Sequence, residues 1–349
     1  MKIGAHKIGP GHPCYIIAEL SANHGGDYEI AANTIRAMKE SGANAVKVQT
    51  YTADTLTIAS DKPPFLIGGG TLWDGRTLHD LYQEASMPWE WQPKLKQIAN
   101  DLGLDFISTP FDATAVSFLE AMNVPAHKIA SFELIDHELL RSVAATGKPV
   151  IVSTGMATLE EIVESLEVLR EAQSGPVALL KCTSAYPADP AEMNLLTIQD
   201  MRRRFGVPVG LSDHTMGHTV PVVAVGLGAC IVEKHFILAR SQGGPDSGFS
   251  MEPQEFSHMV DAIRITEQAL GKADNYAVSE KEGKSKTFRR SLFVVRDVKQ
   301  GEAFTKENVR CIRPSGGLAP RLLEKVLGSK AARDIERGTP LDMTDLEGI

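Results

Sequence analysis

The stretch that decides the fold runs from Val150-Ile151-Val152-Ser153 to Ala178-Leu179-Leu180-Lys181-Cys182-Thr183, with a helix-length segment between the two runs. Short aliphatic and β-branched runs that alternate with helix-length segments are typical of parallel strands joined by crossover helices. The pattern recurs on both sides of this stretch, at Tyr15–Glu19, Ala45–Gln49, Asp105–Thr109, Lys128–Ser131, Val209–His214 and Ile231–His235. Eight such units in about 270 residues predict a TIM (β/α)8 barrel. An open doubly wound sheet is the alternative, but no Gly-x-Gly-x-x-Gly motif follows the first run.

The chain divides into a large and a small part. The last helix predicted for the barrel ends near Gly271, and the polar segment Lys272–Lys286 has the composition of a linker. We therefore expect a barrel domain over residues 1–271, a linker over 272–290 and a small β-rich module over 291–349. A long insertion over residues 51–91 follows the second strand, and insertions of this length are usually functional or disordered.

The composition excludes several classes of protein. The chain has 349 residues, with 36 Lys and Arg interspersed among 44 Asp and Glu and a net charge of −8, which argues against nucleic acid as a partner. The apolar run at Cys14 is too short for a signal-peptide core, and the longest apolar run, Val220–Val232, is too short for a membrane span. We therefore expect a cytoplasmic protein without a membrane partner. We expect its cysteines to be reduced thiols, at Cys14, Cys182, Cys230 and Cys311.

Polar residues close the otherwise apolar strands. In a TIM barrel the active site lies at the carboxyl ends of the strands, so these side chains are expected around one cavity. They are Glu19, Lys47, Gln49, Thr109, Lys128, Ser131, Glu133, Ser153, Thr183, Ser184, Ser212, His214, Glu233 and His235. Because side chains alternate along a strand, Lys47 and Gln49 share a face, and so do Glu233 and His235.

The two lysines of this ring predict an anionic ligand. Lys47 and Lys128 lie within strands, where an ammonium without a partner is costly. With hydroxyl groups around them, they favour a small ligand that carries phosphate and carboxylate groups. The alternative is a structural network in which these lysines pair with Glu19, Glu133 or Glu233.

The two histidines predict a metal ion. His214 and His235 end consecutive strands, and imidazole is a common ligand of divalent transition metals. Two ligands leave positions open for substrate, with Glu19 able to contribute through water, so we expect exchangeable Mn²⁺ or Mg²⁺ rather than structural Zn²⁺. A competing hypothesis is a Schiff-base aldolase in which Lys181 attacks a keto acid, because such an enzyme does not need the histidine pair.

Segments around these residues resemble the sialic acid synthase family throughout the barrel. They are Ile17–His24, Val46–Thr50, Ser108–Phe111, Lys128–Ser131, Ser153–Gly155, Lys181–Pro187, Gly210–His214 and Glu233–Phe236. The end of the chain, from Ser291 through Arg313-Pro314 to Arg337-Gly338, resembles the antifreeze-like (SAF) domain of that family. The resemblance implies a TIM barrel followed by a small β-rich domain of the β-clip type.

The resemblance also implies an activity. Members of the family use a divalent metal to condense phosphoenolpyruvate with an open-chain N-acetylated amino sugar, which yields a nonulosonic acid and phosphate. Phosphoenolpyruvate would be held by Lys47, Thr109, Lys128, Ser131, Ser153 and Ser212. The sugar would be faced by Gln49, Glu133, Tyr186 and Asp246, and the metal would be held by His214 and His235. Glu19, and after it Glu133, is expected to be the base that delivers water.

The insertion and its surroundings bear on the choice of sugar. Gln49–Thr57 and Leu72–Arg76 resemble pseudaminic acid synthases, which take 2,4-diacetamido-2,4,6-trideoxy-L-altrose, more than neuraminate synthases. Tyr51 or Trp73 is expected to contact the apolar part of such a 6-deoxy sugar. Gly243–Ser247 is less typical of that branch and keeps legionaminate or neuraminate synthesis as an alternative.

The small module carries a further expectation. The resemblance implies a domain-swapped homodimer in which Arg313 of one subunit reaches the sugar site of the other. The structural alternative is a surface salt bridge of Arg313 with Glu302 or Asp334, worth only about 0–1 kcal/mol. A non-catalytic carbohydrate-binding protein is the remaining alternative, although such a protein would not need two lysines in the barrel mouth.

Overall fold

The computed structural model describes residues 1–70 and 73–348, so Leu72 of the segment compared above and Ile349 lie outside the described residues. The chain forms two compact units, Met1–Gly271 and Lys272–Ile349. Within the described ranges, no helix combines the length and the apolar character needed to cross a membrane.

The first unit is a closed parallel barrel. A short antiparallel ribbon of β1 (Lys2–Ile3) and β2 (His6–Lys7) precedes it. Among the described residues, eight parallel strands close the barrel in sequence order. They are β3 (Tyr15–Glu19), β4 (Ala45–Thr50), β5 (Asp105–Pro110), β6 (His127–Ile129), β7 (Val150–Ser153), β8 (Val177–Cys182), β9 (Val209–Asp213) and β10 (Ile231–His235).

Helices connect the strands and cover the barrel. They are α1 (Tyr28–Glu40), α2 (Ala53–Leu56), α3 (Leu78–Ala85), α4 (Gln92–Asp101), α5 (Ala113–Ala121), α6 (His137–Ala144), α7 (Leu159–Glu171), α8 (Thr197–Phe205), α9 (Thr219–Gly226) and α10 (Pro253–Leu270). Several begin where a side-chain oxygen accepts first-turn backbone N–H groups, as Asp27 does for α1, Asp112 for α5 and Thr158 for α7. The insertion over residues 51–91 contains α2 and α3.

Strand alternation decides which residues enter the barrel. Ile17, Ala45 and Ile231 belong to the buried cluster inside the barrel, whereas Val46 and Val232 pack outward against the helices. Residues two positions further along each strand therefore also face inward, at its carboxyl end. These are Glu19, Lys47, Thr109, Ser153, Cys182 and Glu233.

The eight predicted strands are confirmed; β3, β7 and β10 have the predicted bounds, and the other five differ by one or two residues at an end. Ser131 was expected to end a strand but lies in the 3-10 turn Ser131–Glu133, because β6 ends at Ile129. Thr183 and His214 follow β8 and β9 instead of belonging to them. The four cysteines are free thiols, and all but Cys311 are buried.

The second unit is a small β-rich module. It contains α11 (Glu280–Ser285), β11 (Ser291–Val294), β12 (Val309–Ile312) and α12 (Leu323–Val326), with β11 and β12 antiparallel. Isolated bridges such as Val298 with Ile335 continue its irregular pairing. Its own core includes Leu292, Phe304 and Val309. Arg313 follows β12 and is exposed.

Candidate active site

A buried ionic network lies inside the carboxyl end of the barrel. Lys47 Nζ lies 2.9 Å from Glu19 Oε2 and donates to Glu233 Oε1 at 3.0 Å. Lys128 Nζ lies 3.5 Å from the same Glu233 oxygen, to which Ser212 Oγ donates at 3.1 Å. The five residues are at most 5% exposed. Two buried cations therefore face two buried carboxylates of the protein itself, as the structural-network alternative expected for Glu19 and Glu233.

Burial and mutual attraction set the charges of this network. Burial lowers the pKa of Lys47 to about 8, although Glu233 opposes the shift. Burial alone would raise the pKa of Glu233, but Lys128 and Lys47 together lower it to about 2. At neutral pH Lys47 is therefore mostly protonated and Glu233 is ionised.

An arc of hydroxyl groups lies beside the lysines. Lys128 Nζ donates to Ser153 Oγ at 2.7 Å, and the Gly155 amide donates to Ser131 Oγ at 3.0 Å. A Cβ at Gly155 would collide with the oxygens of Ser131 and Ser184, so glycine permits this close approach. The buried Thr109 Oγ1 has no hydrogen-bond partner within the described chain. Lysine and hydroxyl groups of this kind are suited to bind phosphate or carboxylate.

The residues predicted to face the sugar lie around the same mouth. Gln49 Nε2 donates to Glu19 Oε1 at 3.2 Å and to Ser21 Oγ at 2.9 Å. Glu133 has a buried Oε2 without a partner among the described residues, and burial raises its pKa to about 7. A carboxyl group with such a pKa exchanges its proton near neutral pH.

The two predicted metal ligands lie side by side. The rings of His214 and His235 have centroids 5.4 Å apart, and Phe249 packs against the His235 ring at 4.9 Å. His214 Nδ1 lies 3.1 Å from the Thr183 carbonyl oxygen. His235 Nδ1 is buried without a hydrogen-bond partner in the described ranges, and Asp246 Oδ2 lies 3.9 Å from it.

This donor set fits a weakly held divalent ion better than a closed metal site. Where the structure describes the chain, it contains no group of three or more His, Cys, Asp and Glu side chains arranged to hold a metal. The pair His214 and His235, with one unpartnered buried nitrogen, instead suits an ion that takes its other ligands from substrate and water.

Arg313 belongs to the second unit. The alternative hypothesis of a salt bridge between Arg313 and Glu302 or Asp334 is wrong. Glu302 lies 3.6 Å from Arg296, and Asp334 lies 2.8 Å from Lys299. Arg313 forms no ion pair with any residue that the structure describes. Its guanidinium is therefore available to another molecule.

Lys181 does not support a Schiff-base site. It shares the outward face of β8 with Leu179, which packs in the helix layer, whereas Leu180 and Cys182 alternate inward. Lys181 Nζ donates to the carbonyl oxygen of Cys182 at 2.9 Å. This lysine therefore lies away from the barrel interior.

Sequence reasoning named Glu233 only as a structural partner of the lysines and gave Cys182 and Phe249 no role. Alternation puts Glu233 on the inward face with His235 and level with Ser212. Cys182, whose Sγ lies 3.9 Å from His214 Nδ1, follows from the same rule. Phe249 lies in a loop and carries no periodic signal, so only the structure reveals its contact with His235.

Comparison with known proteins places the chain in a family. The model of the NeuB family matches residues 34–275. This chain belongs to the NeuB family. The SAF domain model matches residues 289–347, so the predicted membership and the SAF module are confirmed.

The relatives of this NeuB family member align over nearly its whole length. A pseudaminic acid synthase of Campylobacter jejuni is 46% identical and aligns over 95% of this chain and 96% of its own. A pseudaminic acid synthase of Helicobacter pylori is 44% identical over 96% and 98% of the two chains. Among solved structures, an N-acetylneuraminic acid synthetase of Leptospira borgpetersenii superposes with a TM-score of 0.73 and 30% identity, covering 82% of this chain and 94% of that one. The predicted barrel architecture is thereby confirmed.

Proposed function

We propose that the chain is a pseudaminic acid synthase, a transferase that condenses phosphoenolpyruvate, 2,4-diacetamido-2,4,6-trideoxy-L-altrose and water into pseudaminic acid and phosphate. The observation that carries this proposal is the identity of 44–46% to enzymes of that name over 95–96% of the chain. The barrel mouth supports it, because buried lysines suit an anionic substrate and paired imidazoles suit a metal.

In this proposal phosphoenolpyruvate is held by Lys47, Thr109, Lys128, Ser131, Ser153 and Ser212. The Thr109 hydroxyl is buried without a partner within the described chain, so a ligand oxygen would satisfy it. Lys128 donates to two neutral oxygens and has a carboxylate only at 3.5 Å, which leaves its charge poorly compensated. Charge-assisted hydrogen bonds to phosphate or carboxylate are about twice as strong as neutral ones.

The sugar is faced by Gln49, Glu133, Tyr186 and Asp246. An N-acetylated sugar presents hydroxyl and amide donors together with apolar methyl groups. The unpartnered Glu133 Oε2 accepts such a donor. Burial raises the pKa of the Asp246 carboxyl, and its Oδ2 accepts a hydrogen bond from the Ala22 amide at 3.3 Å. The Tyr186 ring supplies apolar surface between Phe249 and His214.

The metal of this reaction is assigned to the histidine pair. Enzymes of the sialic acid synthase family are generally metal-dependent. His214 and His235 would hold a divalent ion, Mn²⁺ or Mg²⁺, which when bound would supply Lewis acidity for the sugar aldehyde. The protein orients the His214 ring for this role. When His214 Nδ1–H donates to the Thr183 carbonyl oxygen, the lone pair of Nε2 is available to a metal ion.

The bond changes follow from these placements. Carbon 3 of phosphoenolpyruvate attacks the aldehyde carbon, the electron pair of the aldehyde C=O bond moves to its oxygen, and carbon 2 becomes an oxocarbenium ion. Water adds to carbon 2, the bond between carbon 2 and the phosphate oxygen breaks, and carbon 2 becomes a ketone as phosphate leaves. The two protons of the added water end on the former aldehyde oxygen, which becomes a hydroxyl group, and on phosphate. Glu19 takes the water proton, since it is fully buried and its Oε2, although 2.9 Å from Lys47 Nζ, lacks an aligned hydrogen bond in the described structure. Glu133, with a pKa of about 7, is the second candidate.

Arg313 completes the sugar site of a second subunit in a domain-swapped homodimer. Its guanidinium is exposed and has no ion pair among the described residues. Loops after β6, β7 and β9, which share the carboxyl end of the barrel, expose large apolar side chains: Phe132 is 59%, Ile135 61%, Met156 59% and Met216 51% exposed. Exposed apolar patches of this kind mark interaction surfaces.

The test is phosphate release from phosphoenolpyruvate with a panel of sugars. The precursors of pseudaminate, legionaminate and neuraminate are each supplied with Mn²⁺, and we expect release with the pseudaminate precursor at the highest kcat/KM. Preference for another precursor would reassign the substrate within the family. No release with any sugar would favour the carbohydrate-binding alternative, and borohydride trapping of pyruvate would favour the aldolase.

A further inference from the structure

The insertion over residues 51–91 reaches the barrel mouth at Trp73. Trp73 Nε1 donates to the carbonyl oxygen of Pro245 at 3.1 Å, and its ring centroid lies 5.9 Å from that of Tyr186. The Tyr186 ring lies 4.5 Å from the His214 ring and 5.1 Å from the Phe249 ring. The indole therefore joins an aromatic wall that continues to a candidate metal ligand.

Backbone hydrogen bonds hold the residues that follow Trp73 to Ile67. The Ile67 amide donates to the Arg76 carbonyl oxygen, and the Gly75 amide donates to the Ile67 carbonyl oxygen, both at 2.8 Å. Gly75 has a φ of +85°, a conformation that favours glycine in a turn. Arg76 also lies 2.7 Å from Glu84 of α3. The indole is thus fixed at its backbone and at its ring nitrogen.

We propose that Trp73 is a specificity-determining residue that selects a methyl group at carbon 6 of the sugar, an inference that rests on the function proposed above. The only polar atom of the indole ring donates to Pro245, so the ring offers a ligand apolar surface. A methyl group packs on such a surface without loss. A hydroxymethyl group at this place would leave its hydroxyl without the hydrogen bonds it forms in water.

Tyr51, the other aromatic residue of the insertion considered from the sequence, is less suited to this role. It is only 4% exposed. Its ring packs against Phe111 at 5.0 Å and Tyr82 at 6.0 Å. Its surface is therefore already occupied by other side chains, so Tyr51 is the weaker candidate.

The test compares two sugars that differ only at carbon 6, namely 2,4-diacetamido-2,4,6-trideoxy-L-altrose and its 6-hydroxy analogue. For Trp73→Ala we expect the kcat/KM ratio of the deoxy to the hydroxy sugar to fall about 10- to 100-fold, with the KM for phosphoenolpyruvate within about twofold of the parent. Trp73→Phe retains an apolar ring and should keep most of the ratio. Ile58→Ala, an apolar truncation at a 60% exposed position of the same insertion, should leave the ratio unchanged.

The outcomes separate this inference from the function on which it rests. If the parent enzyme discriminates between the sugars and Trp73→Ala keeps its ratio, Trp73 does not read carbon 6. If both sugars and phosphoenolpyruvate weaken together in Trp73→Ala, and Trp73→Phe does not rescue them, the residue only supports the insertion. A parent enzyme that releases no phosphate with either sugar overturns the proposed function, and the sugar contact with it.

Discussion

Glu233→Gln removes the carboxylate that contacts both buried lysines of the barrel. Glu233 Oε1 lies 3.0 Å from Lys47 Nζ and 3.5 Å from Lys128 Nζ. Glutamine keeps the size of the side chain and an acceptor for Ser212, so the change removes charge and little else. The variant leaves two buried cations with Glu19 as the remaining carboxylate contact of Lys47.

The size of the effect follows from the broken ion pair and from the pKa of Glu233. Removal of one member of a buried ion pair typically costs about 3–5 kcal/mol. The pKa of Glu233 is lowered from 4.5 to about 2, and at about 1.4 kcal/mol per unit this shift corresponds to about 3 kcal/mol. Because the pKa is lowered in the folded state, this stabilisation is present above pH 4.5 and is lost as the pH falls towards 2. A loss of about 3 kcal/mol should lower the Tm by about 6–12 °C.

Thermal unfolding at several pH values checks this prediction, with Glu40→Gln on the exposed face of α1 as the matched control. We expect Glu233→Gln to melt well below the parent at pH 7 and to lose less stability than the parent between pH 4.5 and pH 3. Phosphoenolpyruvate should raise the Tm of the variant more than that of the parent, because its anion replaces the missing charge. A variant that melts within 1–2 °C of the parent at pH 7 would refute the reasoning.

Three further predictions concern the chemistry. His214→Ala and His235→Ala should remain folded but lose turnover, and calorimetry should show that they no longer bind Mn²⁺. EDTA should inactivate the parent enzyme reversibly. Full activity in an excess of chelator would exclude the metal role. If Glu133 acts as a base, kcat/KM should rise as the pH passes its pKa of about 7, and Glu133→Gln should abolish this rise. The same variant should have a higher Tm than the parent at pH 8, because it removes a buried carboxylate. Arg313→Ala should raise the KM for the sugar at least tenfold without changing the mass of the dimer. Mixing this variant with the His235→Ala variant should restore some activity. If activity does not recover after subunit exchange has been demonstrated, the cross-subunit role of Arg313 is contradicted.

Strand positions and inward-facing site residues could be predicted from the sequence because both follow from alternation. Lys47 and Gln49 stand two residues apart on β4, and Ser212 precedes the end of β9, so their common face requires no tertiary information. The carboxyl ends of the parallel strands meet at one end of the barrel, so these faces come together independently of how the helices pack. The predicted ends of the strands were less accurate. Ser131 and His214 lie just past β6 and β9, because the backbone pairing of these strands ends earlier.

Loop contacts could not be predicted in the same way. Trp73 and Pro245 are 172 positions apart, and nothing periodic in either segment indicates their hydrogen bond. Phe249 reaches His235 from a 3-10 turn, where side-chain direction depends on the whole loop. The sequence therefore names Trp73 as a candidate residue, whereas its contact with Pro245 and that of Phe249 with His235 come from the structure alone.

Lys47 and Lys128 lie in an anionic environment, as the sequence predicts, but the protein itself supplies part of it. Glu19 and Glu233 already face Lys47, and Glu233 lies 3.5 Å from Lys128, so an entering phosphoenolpyruvate meets carboxylates as well as an incompletely compensated cation. Ground-state affinity is thereby limited. In the proposed reaction carbon 2 becomes positively charged, and the same carboxylates then attract it. Interactions that strengthen only as the transition state forms are those that accelerate a reaction, so the buried carboxylates reduce substrate affinity and favour the chemical step.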